Sequence, residues 1–133
     1  MLRTKCIFKE KELEDGLRIS IMSRHTLNDG KTPDPRLLEP GVFDRHRVEL
    51  APHPKIVGMW YKKRISWEDF TLAYFMKLHE PVESRSVDEL VVLARKQDVT
   101  VMCVEDTPEH CHRGLLAQRC GMIDPGLEIR HVV

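Results

Sequence analysis

A chain of 133 residues with a 41% hydrophobic content holds one domain's core, buries it without disulfide or metal staples, and is too short for two. Its 21 basic and 21 acidic residues cancel to zero formal charge, which removes the broad attraction on which non-specific nucleic-acid binding rests. The composition also excludes a disordered chain.

The amino terminus, Met-Leu-Arg-Thr-Lys-Cys, has no apolar stretch before charge resumes, so no secretory signal is expected. The longest apolar runs, 91–94 and 99–104, fall far short of a bilayer span. A cytoplasmic location with no membrane partner follows as the expectation. Cys6, Cys103, Cys111 and Cys120 match no short secreted framework and are expected to be reduced thiols.

Thr4 to Phe8 and Leu17 to Met22 are β-rich stretches either side of the charged turn Lys9 to Gly16, and they predict two strands. From Asn28 to Pro54 five prolines and two glycines forbid long regular elements, and such a segment is often a lid or a binding loop. Lys62, Lys63 and Arg64, the one dense basic run, read as a solvated turn. Ser66 with Asp69 predicts a helix from Trp67 to about His79, carrying Trp67, Phe70, Tyr74 and Leu78 on one face. Ser86 with Glu89 predicts a second helix start, with Val87, Leu90, Val91 and Ala94 as its buried stripe. Val99 to Val104 is the pattern of a central strand covered on both faces. Thr107-Pro108 predicts the next helix, ended by Gly121, and the alternation over 127–132 predicts a last strand. Helix, strand, helix, strand in the second half implies right-handed crossovers. The expectation is one α/β domain over residues 1–133, with a largely parallel sheet flanked by helices.

Ligands of open parallel sheets bind beyond the carboxyl ends of the strands, and the segment Cys103 to Arg113 occupies that position. It holds two thiols, two imidazoles, three carboxylates and one guanidinium in eleven residues. Cys103, Cys111 and His112 are the candidate catalytic groups, and Glu105, Arg113 and Arg24 the candidate ligand-binding ones. Arg24, at the end of the second predicted strand, reaches the motif if that strand runs parallel to Val99–Val104 in the same sheet.

Cys-x-Glu, a short acidic turn and Pro-x-x-Cys-His-Arg resemble the hallmark of the domain-of-unknown-function family 488. Leu50-Ala51-Pro52-His53-Pro54, followed by Ile65-Ser66-Trp67-Glu68-Asp69-Phe70, is similar to its shorter, YeaO-like branch, as is the pattern Asp15-Gly16, strand, Arg24. Where that branch shows a Trp-Pro-Arg-Gly element, this chain has His25-Thr26-Leu27-Asn28-Asp29-Gly30. The resemblance implies an α/β domain and no established activity.

Spacing separates the possible chemistries. A phosphatase-like or rhodanese-like loop needs five residues between its Cys and its Arg, but nine residues without a glycine separate Cys103 from Arg113. A metal is the rival reading, since Cys, His and Glu are competent ligands. The seven residues between the cysteines match no zinc-finger spacing, and neighbouring Cys111 and His112 would point about 100° apart on a helix, so no metal is assigned. Each residue also has a plainer role: Cys103 and Cys111 as core side chains, His112 and Arg113 in an ion pair with Glu109 or Glu105, Cys120 as packing and His110 as surface. The reading is a polar small-molecule or anion site, open as to enzyme activity, with no cofactor. The alternatives are a metal at the same motif, or an interaction protein using residues 31–54, where Leu37, Leu38, Val42 and Phe43 show no clear periodicity; a homodimer is compatible with the latter.

Overall fold

In β1 (Leu2–Cys6) the residues Leu2, Thr4 and Cys6 alternate with Arg3 and Lys5, yet all five are buried. Alternation sends the two sets to opposite faces of a sheet, so a row of cations must be covered on one side. The computed structural model describes residues 1–133 and shows how. β1, β2 (Leu17–Ser20), β3 (Arg45–His46), β4 (Val99–Cys103) and β5 (Ile129–His131) form one sheet in the order β3-β2-β4-β1-β5, with every neighbouring pair parallel. β4 is central, with Cys6 opposite Cys103 in register on one side and Ser20 opposite Met102 on the other. The expected α/β domain with its parallel sheet is therefore present.

The two faces differ in what covers them. Leu2, Ile19, Val99 and Val101 pack under α2 (Pro54–Tyr61), α3 (Trp67–Leu78), α4 (Pro81–Lys96) and α5 (His112–Ile123) in one large apolar core. Phe70, Tyr74 and Leu78 are its α3 contribution, each worth about 1.5–3 kcal/mol when buried. The opposite face carries Lys5, Arg18 and Thr100, covered by residues 10–15 and by the long segment 25–45, whose only helix is the single turn α1 (Pro35–Leu38). Helices thus flank the sheet as expected, all of the longer ones on one face, and mostly loops cover the other.

Capping explains which helix expectations hold. Ser66 Oγ accepts from the Asp69 amide (3.0 Å), and α3 begins where predicted. Ser86 caps nothing: α4 starts five residues earlier, at Pro81, and Ser86 lies buried inside it with Oγ on Glu49. Proline is as good a first helical residue as it is a terminator, and Pro54 likewise opens α2, an element the sequence reading did not anticipate. α5 begins at His112 rather than Thr107-Pro108, because His110 adopts a left-handed φ of 52° and Cys111 is extended. Gly121 lies within α5, which continues to Ile123. No helix is long and apolar enough to cross a membrane. In the proline-rich segment Leu37 is buried, Val42 and Phe43 are half-buried against the cluster around it, and Leu38 is exposed.

Candidate functional site

β4 ends at Cys103, and the chain leaves the sheet through residues 104–110 before α5 returns over it. Two contacts pin this loop to the helices beside it. Tyr61 OH donates to Glu105 Oε1 (2.6 Å), and the His110 ring packs on Trp67 (4.9 Å between centroids) and edge-on to Trp60 (5.9 Å). The loop therefore folds back and brings Cys111 against Cys103.

The two sulfurs meet at bonding distance although their Cα atoms, 7.6 Å apart, stand wider than a relaxed disulfide spans, while Cys6 and Cys120 are the free thiols expected. The reason the pair meets is local. A strand end and the helix start that follows it lie close together, and extended Cys111, outside the helix, can turn its side chain inward. The same extended conformation removes the argument that Cys111 and His112 diverge on a helix. Cys103, Cys111 and His112 place their ligating atoms within 4.8 Å of one another.

His112 Nε2 lies 2.7 Å from the Ile21 carbonyl. A carbonyl only accepts, so Nε2 carries the proton and Nδ1 keeps its lone pair. Burial pushes the imidazole down to about 4, outweighing the Ile21 contact, and Arg113 and Lys77 add to the depression. At neutral pH the ring is uncharged. Tyr74 meets it edge-on at 5.7 Å.

Arg113 is the unusual member. It is fully buried, and Nη1 donates to the sulfurs of Cys103 (3.3 Å) and Cys111 (3.2 Å), while Nε and Nη2 have no partner at all. Burial pulls the guanidinium below its ordinary value, and the Cys6 thiol with the Glu105 and Asp106 carboxylates pulls the other way. No ion pair with Glu109 or Glu105 forms: Glu105 is held by Tyr61, and Glu109 is exposed.

Four of the six residues singled out from the sequence, Cys103, Cys111, His112 and Arg113, thus converge, and Glu105 stands at the rim. Arg24 does not join them. β2 is parallel to β4 and adjacent to it, so its carboxyl end is at the same sheet edge, but Arg24 is exposed and its Nη1 donates to Gly30 O (3.1 Å) in its own loop. Sequence reasoning missed Cys6, paired in register with Cys103, and Tyr61 and Trp60, which hold the loop. Cys6 was within reach, since its place in the first strand of a parallel sheet puts it at the same edge. Cys120 is the packing residue expected, its thiol pushed up to about 12 by burial.

A parallel α/β domain with a cysteine pair, a neutral histidine and a sealed arginine beyond its central strand is the class that fold and site define. The family model described as "Active DUF488-N3 subclade" matches residues 2–120, and the chain belongs to the DUF488 family. No curated protein and no solved structure matches it.

Proposed function

We propose that the site formed by Cys103, Cys111, His112 and Arg113 binds a small anionic or polar molecule, and that one of its cysteines, when reduced, is a thiolate nucleophile. Arg113 carries this reading. A guanidinium sealed from water without a carboxylate is costly by several kcal/mol, and the two idle nitrogens make it more so. Negative charge at that spot, on a ligand's oxygens or on a sulfur, offsets the cost. Nη1 already points at both sulfurs, the geometry that lowers a thiol's pKa. His112, being neutral, leaves Nδ1 to accept a proton or a hydrogen bond from the ligand.

The test is a thiolate absorbance titration of the reduced protein, in a background where Cys6→Ser and Cys120→Ser leave two thiols. At least one should ionise below the ordinary value of about 8.5, and Arg113→Gln should move it upward. Two thiols that both ionise at or above that value end the nucleophile reading.

A second reading rests on the 4.8 Å grouping of Cys103, Cys111 and His112, a ligand set that suits zinc. Arg113, with its cation 3.2–3.3 Å from both sulfurs, opposes a second positive charge there. Zinc added to the reduced protein and held with sulfur at about 2.3 Å by X-ray absorption would favour the metal over the anion.

A further inference from the structure

On the loop-covered face of the sheet lies an open cavity of about 460 Å³ that shares no residue with the cysteine site. Its charged lining is Lys9, Lys11, Arg18 and Arg36, and no carboxylate borders it. Arg18 and Arg36 are each paired with a carboxylate behind the wall, Asp15 and Asp34, which leaves Lys9 and Lys11 as the unpaired charges at the cavity.

The wall of this cavity is built from within. Asp15, 1% exposed, takes both Lys5 (2%) and Arg18 (2%), so a buried trio holds two cations against one anion. Arg18 Nη1 donates to Asp15 and Nε to Val42 O (3.1 Å), which fixes the guanidinium plane, while Nη2 makes no hydrogen bond in the chain and Arg18 lines the cavity. The donor is rigid because its plane is held on two sides. Arg36 is held in turn by Asp34 through Nε and Nη2, and stacks its guanidinium over the Phe8 ring at 4.3 Å. Lys9 and Lys11 bring two further ammonium groups, neither in an ion pair.

We infer that this cavity binds a phosphomonoester of a small organic molecule, independently of the cysteine site. A dianion with three terminal oxygens matches several cations at once, and a fixed guanidinium edge is the donor best suited to it. The volume exceeds what phosphate alone would fill and falls in the range of about 300–1,000 Å³ typical of small-ligand pockets. Ile7, Phe8, Pro40 and Val42 supply an apolar wall for the organic part.

The experiment is an amide chemical-shift titration of the full chain with ribose 5-phosphate, repeated with inorganic phosphate and with the variant Lys9→Ala/Lys11→Ala. Both side chains extend from the surface, so that variant is expected to fold. The expected result is saturable shifts at Phe8, Lys9, Lys11 and Gly41 with ribose 5-phosphate, at least about tenfold tighter than with inorganic phosphate, and weakened at least about tenfold by the double variant. Equal affinity for the two probes overturns the organic ester. Absence of saturation, or binding that the double variant leaves unchanged, overturns the site. Shifts confined to residues 103–113 overturn it too, while supporting the anion reading of the cysteine site.

Discussion

Arg18 and Arg113 are both sealed from solvent, one on each face of the same sheet, and the chain treats them in opposite ways. Arg18 has its counter-charge at Asp15 and its plane fixed by Val42, so most of its bonding is settled within the fold. Arg113 has two sulfurs and two idle nitrogens. A buried cation supplied with a carboxylate is held by the architecture and keeps only its spare donors for a ligand, whereas one left without is a place where something else must bring the negative charge. The helix-covered face is mainly apolar, and its buried guanidinium stands at the strand end where ligands of parallel sheets bind.

The strongest way to break the comparison is at Asp15. Asp15→Ala strands Lys5 and Arg18 in the interior, and urea denaturation should show a loss of about 3–5 kcal/mol or no cooperative transition. A loss under 1 kcal/mol would mean that the trio is not the anchor of that face.

The next effect lies in pH. His112 titrates near 6.5 when unfolded and about 4 when folded, so between those values the unfolded chain takes up a proton that the folded chain refuses. Stability should hold above about pH 6.5 and fall as pH drops toward 4, by about 3 kcal/mol from this group. His25, pushed down to about 4 by burial and by His46, acts over the same window. His112→Gln should flatten the curve, and an unchanged slope in that variant would place the imidazole in contact with water.

Arg113→Met then sharpens the contrast. If the guanidinium is a burden in the empty fold, an apolar side chain of similar length leaves stability within about 1 kcal/mol or raises it, whereas Arg18→Met lowers it by several. Equal losses from both would show Arg113 to be structurally satisfied. The smallest effect is at Tyr61: its hydroxyl is a single, partly exposed tether on the loop, and Tyr61→Phe should cost about 0.5–1 kcal/mol while speeding amide exchange over residues 104–110.

Much of this was legible in the sequence, and the exceptions share a cause. The parallel sheet, the central strand at 99–103, the Ser66 cap and the convergence of Cys103 with Cys111, His112 and Arg113 follow from periodicity, capping and the turn that joins a strand to its packed helix. The starts of α4 and α5 were misplaced because a Ser-x-x-Glu or a Thr-Pro pair marks a helix start only if the preceding residues are not already helical, or the following ones do not leave it. Left-handed His110 decides the second case, and no residue type announces that. The polar face was overlooked although β1 spells it out: Arg3 and Lys5 alternate with Leu2, Thr4 and Cys6, and only the register with β4 shows that both rows are covered. Arg24 sits at the expected edge, but its own loop offers a nearer acceptor than the motif does.

Gly114, in the first turn of α5, faces the Pro108 carbonyl so closely that a Cβ there would stand 2.6 Å from the oxygen. The missing methyl lets the segment over the cysteines lie flat against the helix that carries His112 and Arg113. That makes position 114 a latch plate: a side chain one carbon larger would push the Pro108 carbonyl away, and because that carbonyl accepts from the Cys111 amide, the displacement would travel to Cys111 and its contact with Cys103.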